Sequence, residues 1–232
     1  MIPLEIMEDT TIIFLTANKV PKGWAQLHKE KLLEAAQGKP IITISREPLD
    51  WGINVLQTEP YGISNVYFQL LKGAQMASTE FIAVAEDDTL YPKEHFDYRP
   101  PVDTFAYNRN KFGVFTWGTP TYYWYDRTKN STLVAPRKLT IEALEERFAK
   151  YPNGTPDVAH FTGELGRHTI ERNLGVTVRP WIWFTTETSI VSLDHEYGID
   201  HLGRTHRKAM GILRCYDIPY WGKAEDIVHT FV

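Results

Sequence analysis

Residues 81–91, Phe-Ile-Ala-Val-Ala-Glu-Asp-Asp-Thr-Leu-Tyr, constrain the fold more than any other stretch of this chain. Five small or apolar residues in a row predict a strand that is buried on both faces, as in a parallel sheet. Ligands of open α/β sheets bind outside the carboxyl ends of the strands, where Glu86, Asp87 and Asp88 would lie. Extended residues alternate between faces, so Glu86 and Asp88 share one side. Two hard oxygen donors there favour Mg²⁺ or Mn²⁺, with a phosphate supplying further ligands.

Strand and helix signals alternate in the first half of the chain. β-branched and apolar runs predict strands at residues 11–16, 41–45 and 51–56, ahead of the acid-tipped strand. A helix is predicted from Pro21 until Gly38 and Pro40 end it, and another from a cap at Ser64 or Asn65. This order of elements predicts an α/β fold with a parallel, Rossmann-like sheet.

The second half is less regular. It has strand signals at residues 104–107, 113–117, 122–125, 178–183 and 189–193, and helix signals at 140–150 and 163–173. From Asp194 onward the chain is loop-like and rich in His and Arg. No repeat, low-complexity tract or change of composition marks a linker, so we expect a single domain over residues 1–232 with a mixed central sheet.

Composition bears on the partners and the cellular compartment that this chain can have. The chain has 25 basic and 29 acidic residues, a net charge of −4, so no overall field attracts polyanions, although a local basic patch is compatible with it. Cys215 is the single cysteine, which fits a reducing compartment, and we expect neither a signal peptide nor a membrane span, because no basic region followed by an apolar one opens the sequence and no apolar run is long enough to span a bilayer. Aromatic residues make up 13%, with seven Trp, which suits core packing or stacking platforms for a sugar or a base.

A Rossmann-like first half, an acid-tipped fourth strand and an irregular second half together resemble the GT-A class of nucleotide-sugar glycosyltransferases. Their short acidic motif, usually written DxD, stands at this strand end and reads Glu86-Asp87-Asp88 here. The continuation, Thr-Leu-Tyr-Pro-Lys-Glu-His-Phe at 89–96 and Pro-Pro-Val-Asp-Thr-Phe-Ala-Tyr-Asn at 100–108, resembles a bacterial and phage, family-two-like group. The resemblance runs from about residue 11 to 117 and is weaker beyond.

The resemblance implies a Mn²⁺ or Mg²⁺ site at the acidic motif. Asp88 matches the acid that ligates the metal bridging the donor's two phosphates. Glu86 matches the acid that faces the ribose or the metal's water shell, although Glu stands where Asp is usual. A His or Asp from a late loop often completes the set, and His195 is the first choice and His201 the second. The alternative is that the acids cap a helix that begins near Pro92.

The resemblance also implies where the donor binds. Candidates stand at the ends of the first two strands, in the acidic motif and one turn apart on the helix before it: Thr16, Ala17, Asn18, Ser45, Arg46, Asp87, Asn65 and Gln69. Residues 201–208 are locally basic and could close over the diphosphate as a lid that Gly198 and Gly203 allow to move. They could instead contact a nucleic-acid backbone or form a solvated face. The side chains in this segment that could contact a phosphate are Arg204, His206, Arg207 and Lys208.

Inverting transfer needs a general base, and Glu164, between two glycines, is the first candidate, with Asp157 and Glu187 as rivals. The stereochemical outcome is left open.

The expected function is metal-dependent transfer of a sugar from a nucleoside diphosphate donor, with UDP favoured, to a hydroxyl. The acceptor is a glycan, a lipid carrier, a small molecule or a modified base in phage DNA. Residues 1–100 would form the nucleotide-binding half, 101–232 the acceptor half and lid. The expected location is the cytoplasm of a bacterium or of a phage-infected cell.

Two alternatives are a nucleotidyltransferase and a non-catalytic sugar- or nucleotide-binding protein. The first would normally carry a Gly-rich basic loop after strand one, whereas residues 16–21, Thr-Ala-Asn-Lys-Val-Pro, contain one Lys and no Gly.

Overall fold

The computed structural model describes residues 9–124, 126–156, 163–196 and 213–232. Within these ranges the central sheet has seven strands. In order across the sheet they are Trp181–Phe184 (β10), Phe105–Asn108 (β6), Leu133–Pro136 (β9), Phe81–Glu86 (β4), Thr10–Leu15 (β1), Ile41–Ser45 (β2) and Ile53–Leu56 (β3).

One strand of this sheet, β9, runs against its neighbours. It pairs antiparallel with β4 and with β6, while the pairs β1–β2, β1–β4, β2–β3 and β6–β10 are parallel. The carboxyl ends of six described strands and the amino end of β9 therefore share one edge of the sheet. We call it the carboxyl edge.

Helices cover both faces of the sheet. They are Lys22–Ala36 (α1), Ile63–Met76 (α2), Lys93–Asp97 (α3), Arg137–Lys150 (α4), His168–Leu174 (α5) and Ala224–Phe231 (α6). Because strand side chains alternate, Ile13 of β1 packs with α2 and α4, whereas Ile12 and Phe14 pack with α1 and α3. None of these helices has the length and apolar composition that a membrane span needs.

A second sheet includes the short strand that follows β4 in the chain. Its strands, in order, are Leu213–Cys215 (β12), Tyr122–Trp124 (β8), Lys111–Phe115 (β7), Ile190–Asp194 (β11) and Thr89–Leu90 (β5). Gly113 is required in β7, because a Cβ there would lie 2.2 Å from the Tyr123 ring. A short pair, Asp217–Ile218 (β13) and Gly222–Lys223 (β14), leads into α6, whose Phe231 contacts Trp24 of α1 at 5.2 Å between ring centroids.

The predicted fold class is confirmed, since the structure is α/β with a Rossmann-like first half and a mixed central sheet. Four predictions of local structure were wrong. Strand β9 was missed, and α2 begins at Ile63 after Gly62, without a side-chain cap from Ser64 or Asn65. Helix α5 begins at His168 rather than at 163. The segment after Asp194 is not all loop, because β12, β13, β14 and α6 lie in it.

Candidate functional site

The acidic turn after β4 is fixed to β1 and α1 through Asp87. The Thr16 hydroxyl donates a hydrogen bond to the Asp87 carboxylate, and Trp24 Nε1 donates to the Asp87 carbonyl at 2.7 Å. Burial and the charge of Asp88 raise the pKa of Asp87 to about 7, against the opposing effect of the Thr16 hydrogen bond. Asp87 thus anchors the turn to its neighbours.

Asp88 faces His195. The two side chains lie 3.6 Å apart between Oδ2 and Nε2, with Asp88 25% exposed and His195 5% exposed. The pairing of β5 with β11 brings them together, since Leu193 N donates to the Asp88 carbonyl at 2.8 Å. Burial disfavours the charged form of both groups, but the hydrogen bond and the opposite charge of the partner outweigh burial. The pKa of Asp88 is therefore lowered and the pKa of His195 is raised.

Glu86 turns toward the amino end of β9. Asn130 Nδ2 donates to Glu86 Oε1 at 3.1 Å, and the backbone N–H of Glu86 donates to the Tyr91 hydroxyl at 3.0 Å. Burial and the charge of Asp88 raise the pKa of Glu86 to about 8, while the Asn130 hydrogen bond and the charge of Lys129 act against them. Added positive charge would stabilise the ionised form of this carboxyl.

Among the described residues, no three His, Cys, Asp or Glu side chains gather in an arrangement that alone would hold a metal ion. Asp88 and His195 nevertheless offer an oxygen and a nitrogen 3.6 Å apart, a spacing that two ligands about 2.1 Å from one ion can adopt. A metal ion that binds the phosphates of a substrate is commonly held by one or two carboxylates of the protein. Phosphate oxygens and water molecules complete its coordination. The residues therefore fit a divalent ion that a diphosphate shares.

Asn18 joins the ends of β1 and β2. Its backbone is left-handed (φ 56°), and its Oδ1 accepts hydrogen bonds from the backbone N–H of Arg46 at 2.8 Å and of Glu47 at 3.0 Å. The backbone N–H of Asn18 donates to Thr16 Oγ1 at 2.9 Å. Ala17 between them is half-buried. The predicted residues at these strand ends therefore form one connected group at the carboxyl edge.

Tyr61 stands beside this group and was missed by the sequence analysis. Its side chain is 54% exposed, with the Arg46 guanidinium 3.7 Å and the Lys19 ammonium 3.9 Å from the ring centroid. The only sequence signal was an aromatic residue in a turn, Pro-Tyr-Gly at 60–62.

The two polar residues predicted on α2 point into the protein. Asn65 and Gln69 are each 7% exposed, and Asn65 Nδ2 donates to Gln57 Oε1 at 3.2 Å. The structure thus brings neither side chain to the surface formed by Asn18 and Arg46.

Glu164 is buried on the face of the sheet that carries α2 and α4, at 4% exposure. Burial raises the pKa of Tyr67 and of Tyr107, and the charge of Glu164 adds to both shifts. The charge of Glu86 also contributes to raising the pKa of Tyr67. Among the rivals, Glu187 is exposed in the loop before β11. Asp157, His201, Arg204, His206, Arg207 and Lys208 lie outside the described residues.

Lys129 is a second residue that the sequence analysis missed. It precedes the short 3₁₀ turn Asn130–Thr132 that leads into β9, and its charge acts on Glu86, on Asp88 and on Lys111. Because β9 was not predicted, nothing in the sequence placed residue 129 at the carboxyl edge. The mixed-charge run Asp-Arg-Thr-Lys-Asn at 126–130 was the available signal.

No protein-family model and no curated protein matches this chain. Similar solved structures include a glycosyltransferase involved in glycosylation of the major capsid of PBCV-1 (10% identity, 79% of this chain and 91% of that one, TM-score 0.47). Another is a mutant of Drosophila β1,4-galactosyltransferase 7 in complex with manganese, UDP-Gal and xylobiose (13% identity, 81% of this chain and 72% of that one, TM-score 0.42). A third is a nucleotidyl transferase from Methanothermobacter thermautotroptrophicus (13% identity, 77% of this chain and 88% of that one, TM-score 0.43).

Proposed function

We propose that this protein is a metal-dependent glycosyltransferase of the GT-A class, which moves a sugar from a nucleoside diphosphate donor, UDP in the first instance, to a hydroxyl acceptor. The observation that carries the proposal is the acidic turn at the carboxyl edge, where Asp88 lies 3.6 Å from His195 and next to the end of β1. Ligands of such sheets bind at this edge.

The donor nucleotide binds over the ends of β1 and β2 in this proposal. Thr16, Ala17, Asn18 and Arg46 supply that surface, and its hydrogen bonds hold it in shape before any ligand arrives. Arg204 and Lys208, from the basic segment, remain the proposed contacts to the diphosphate.

Asp88 and His195 would hold the divalent ion, with Glu86 supporting the charge from the side of β9. When bound, the ion supplies Lewis-acid stabilisation of the charge on the diphosphate leaving group. An imidazole in the ligand set favours Mn²⁺ over Mg²⁺.

In the transfer, the acceptor oxygen forms a bond to the anomeric carbon as the bond from that carbon to the diphosphate oxygen breaks. The hydroxyl proton passes to a base, and the nucleoside diphosphate leaves. We assign the base to Glu164, since Tyr67 lies within the electrostatic reach of both this carboxyl and Glu86. A hydroxyl on a modified base of phage DNA is one acceptor that meets these requirements.

The test is release of UDP from UDP-sugars in the presence of Mn²⁺, compared between the wild type and Asp88→Asn. We expect the variant to lose about 10²–10⁴-fold in rate, because the ion is worth several kcal/mol in the transition state. Asp50→Asn, which changes an exposed carboxylate paired with Lys29, should retain the wild-type rate.

Wild-type activity in Asp88→Asn would refute the mechanism. Pyrophosphate release from a nucleoside triphosphate would instead identify a nucleotidyltransferase, and donor binding without turnover would identify a binding protein.

A further inference from the structure

Helix α6 packs one apolar face against the strand that leads to the proposed metal site. Its buried residues are Ala224, Val228 and Phe231, and their spacing of three or four residues places them on one side of the helix. They share one hydrophobic cluster with Val191 and Leu193 of β11. The helix therefore covers the face of β11 that carries these two side chains.

The alternation of side chains along β11 directs His195 toward the same helix. Leu193 packs in the α6 cluster, whereas the next carboxylate, that of Asp194, accepts a hydrogen bond from the Tyr123 hydroxyl on the other face. The following residue, His195, returns to the α6 side. Its imidazole lies 4.9 Å from the Phe231 ring between centroids, with the ring planes at 40°. Both side chains are buried, His195 at 5% and Phe231 at 3% exposure.

Phe231 also contacts a ring that is fixed to the acidic turn. The Trp24 indole lies 5.2 Å from it between centroids, and Trp24 Nε1 donates a hydrogen bond to the Asp87 carbonyl at 2.7 Å. The next ring, His28, lies 6.3 Å from Trp24, and its Nε2 donates to the Thr89 carbonyl at 2.8 Å. Trp24 and His28 thus hold the carbonyls on either side of the metal-binding acid, and Phe231 packs against this arrangement.

The contact between His195 and Asp88 sets the direction of the imidazole only loosely. Nε2 lies 3.6 Å from Oδ2, which is longer than a typical N–H···O hydrogen bond of about 2.9 Å. The χ2 torsion of histidine has broad minima, so the ring rotates easily unless its surroundings restrict it. The direction of Nε2 therefore depends on what packs against the ring, and Phe231 supplies such a contact.

We propose that Phe231 is a positioning residue of the metal site, which holds the His195 imidazole in the orientation that lets it share one divalent ion with Asp88. This inference rests on the proposed function for the identity of the site as a metal centre. Groups that orient a metal ligand from behind commonly change metal affinity by about 10–100-fold when they are removed. The C-terminal helix would in this way contribute to a site whose ligands it does not supply.

The alternative is that Phe231 only fills the core. Phe112 of β7 provides a matched control, because it packs against the same hydrophobic cluster and allows the same substitution. It pairs with Val191, four residues before His195, which puts it on the order of 10 Å along the strand from the imidazole. A general loss of packing would affect both variants, whereas a positioning role is specific to Phe231.

The experiment titrates the full chain with Mn²⁺ in the presence of UDP and follows free Mn²⁺ by electron paramagnetic resonance. We expect Phe231→Ala to bind Mn²⁺ about tenfold more weakly than the wild type. Phe112→Ala should bind it as the wild type does. Phe231→Leu fills part of the space but lacks the flat ring, so its affinity should lie between those of the wild type and Phe231→Ala. Thermal melting checks that each variant is folded, and Phe231→Leu decides the matter if Phe231→Ala does not fold.

Two further measurements separate positioning from a structural effect. In a His195→Ala background, Phe231→Ala should cause no further loss of Mn²⁺ affinity, because its effect acts through the imidazole. Calorimetric titration of UDP without metal should give the same affinity in the Phe231 variants as in the wild type. Partial unfolding would instead weaken the binding of both UDP and Mn²⁺.

The proposal is overturned if the folded Phe231 variants bind Mn²⁺ like the wild type, if Phe112→Ala loses as much affinity, or if the effect of Phe231→Ala persists without His195. UDP release from UDP-sugars is measured on the same samples. Turnover with unchanged Mn²⁺ affinity in the Phe231 variants would refute this inference alone. Mn²⁺ binding that depends on Phe231, without turnover by the wild type, would count against the proposed function alone. Absence of Mn²⁺ binding by the wild type would refute both.

Discussion

The two ends of the carboxyl edge are built from different interactions. On the side of β1 and β2, short hydrogen-bonded links such as those of Asn18 to Arg46 and Glu47 fix the loops. On the side of β6 and β10, cations stand over indole rings, as Lys111 does over Trp183. Directional hydrogen bonds fix the geometry of a loop closely, whereas a cation over the face of a ring is held by a less directional attraction. In the proposed function, the hydrogen-bonded side is the one that holds the donor.

The largest effect that separates the two sides concerns Glu164, which we assign to the acceptor side. Glu164→Gln keeps the size of the buried side chain but removes its basicity, so kcat should fall by about 10²–10⁴-fold, the usual contribution of a general base. Donor binding, which the β1 side provides, should stay at the wild-type level. The measurement is steady-state transfer alongside calorimetric titration of UDP with Mn²⁺.

Glu187→Gln is the matched control, because this rival carboxylate is exposed before β11. A kcat that falls in Glu187→Gln and not in Glu164→Gln would transfer the role to Glu187. Loss of UDP affinity in Glu164→Gln would show that the division between the two sides is wrong.

The sequence predicted the β1–β2 side of the edge far better than the other. Strand β2 was predicted at its observed bounds, because a short β-branched run between Pro40 and Arg46 favours a strand over a helix or a turn. Strand β9 was missed, since Leu-Val-Ala-Pro is four residues long, ends in Pro and is stable only between β4 and β6. The position of Lys129 depends on β9, and the contacts of Arg109 and Lys111 with Trp183 depend on the pairing of β6 with β10, so no local pattern revealed them.

The site itself was predictable in part. The acids follow from one strand, and the family resemblance pointed to His195, whose approach to Asp88 depends on the long-range pairing of β5 with β11. The near-complete burial of Glu164 and the inward direction of Asn65 could not be read from the chain, because both depend on which helix covers which face. The assignment of these residues to a catalytic site remains a prediction.

A prediction of intermediate size concerns the buried side chain of His95, and it tests whether β10 and the β1 side of the sheet belong to one core. His95 of α3 is fully buried and stacks on Tyr91 at 5.4 Å and on Phe184 of β10 at 5.7 Å between centroids. In the part of the chain that the structure describes, neither ring nitrogen has a hydrogen-bond partner. Burial lowers the pKa of His95 to about 3.

Because the folded pKa of His95 lies below its usual value of 6.5, the unfolded chain binds more protons between these pH values. This contribution to the free energy of unfolding is therefore present above pH 6.5 and is lost as the pH falls, with a slope of about 1.4 kcal/mol per pH unit. His95→Leu should remove that slope. Urea unfolding at pH 4, 5 and 6, followed by Trp fluorescence, measures the difference between the two proteins.

Identical pH dependence in the wild type and in His95→Leu would show that the buried imidazole does not govern acid stability. Two separate transitions in the wild type would show that β10 and the β1 side unfold independently, which would sharpen the contrast between the two ends of the edge.

The smallest effect concerns Tyr61, at the outer end of the donor side. Its ring contacts Arg46 at 3.7 Å and Lys19 at 3.9 Å, and each such contact at an exposed site is worth about 0.5–1 kcal/mol. Tyr61→Ala should release both cations and raise the KM for the donor by about two- to tenfold, since 1.4 kcal/mol corresponds to a factor of ten. Tyr61→Phe keeps the ring and should resemble the wild type. The rate at saturating donor should be unchanged in both variants if Tyr61 acts only on donor binding, whereas a parallel fall in kcat would mean that the ring also affects the transfer step.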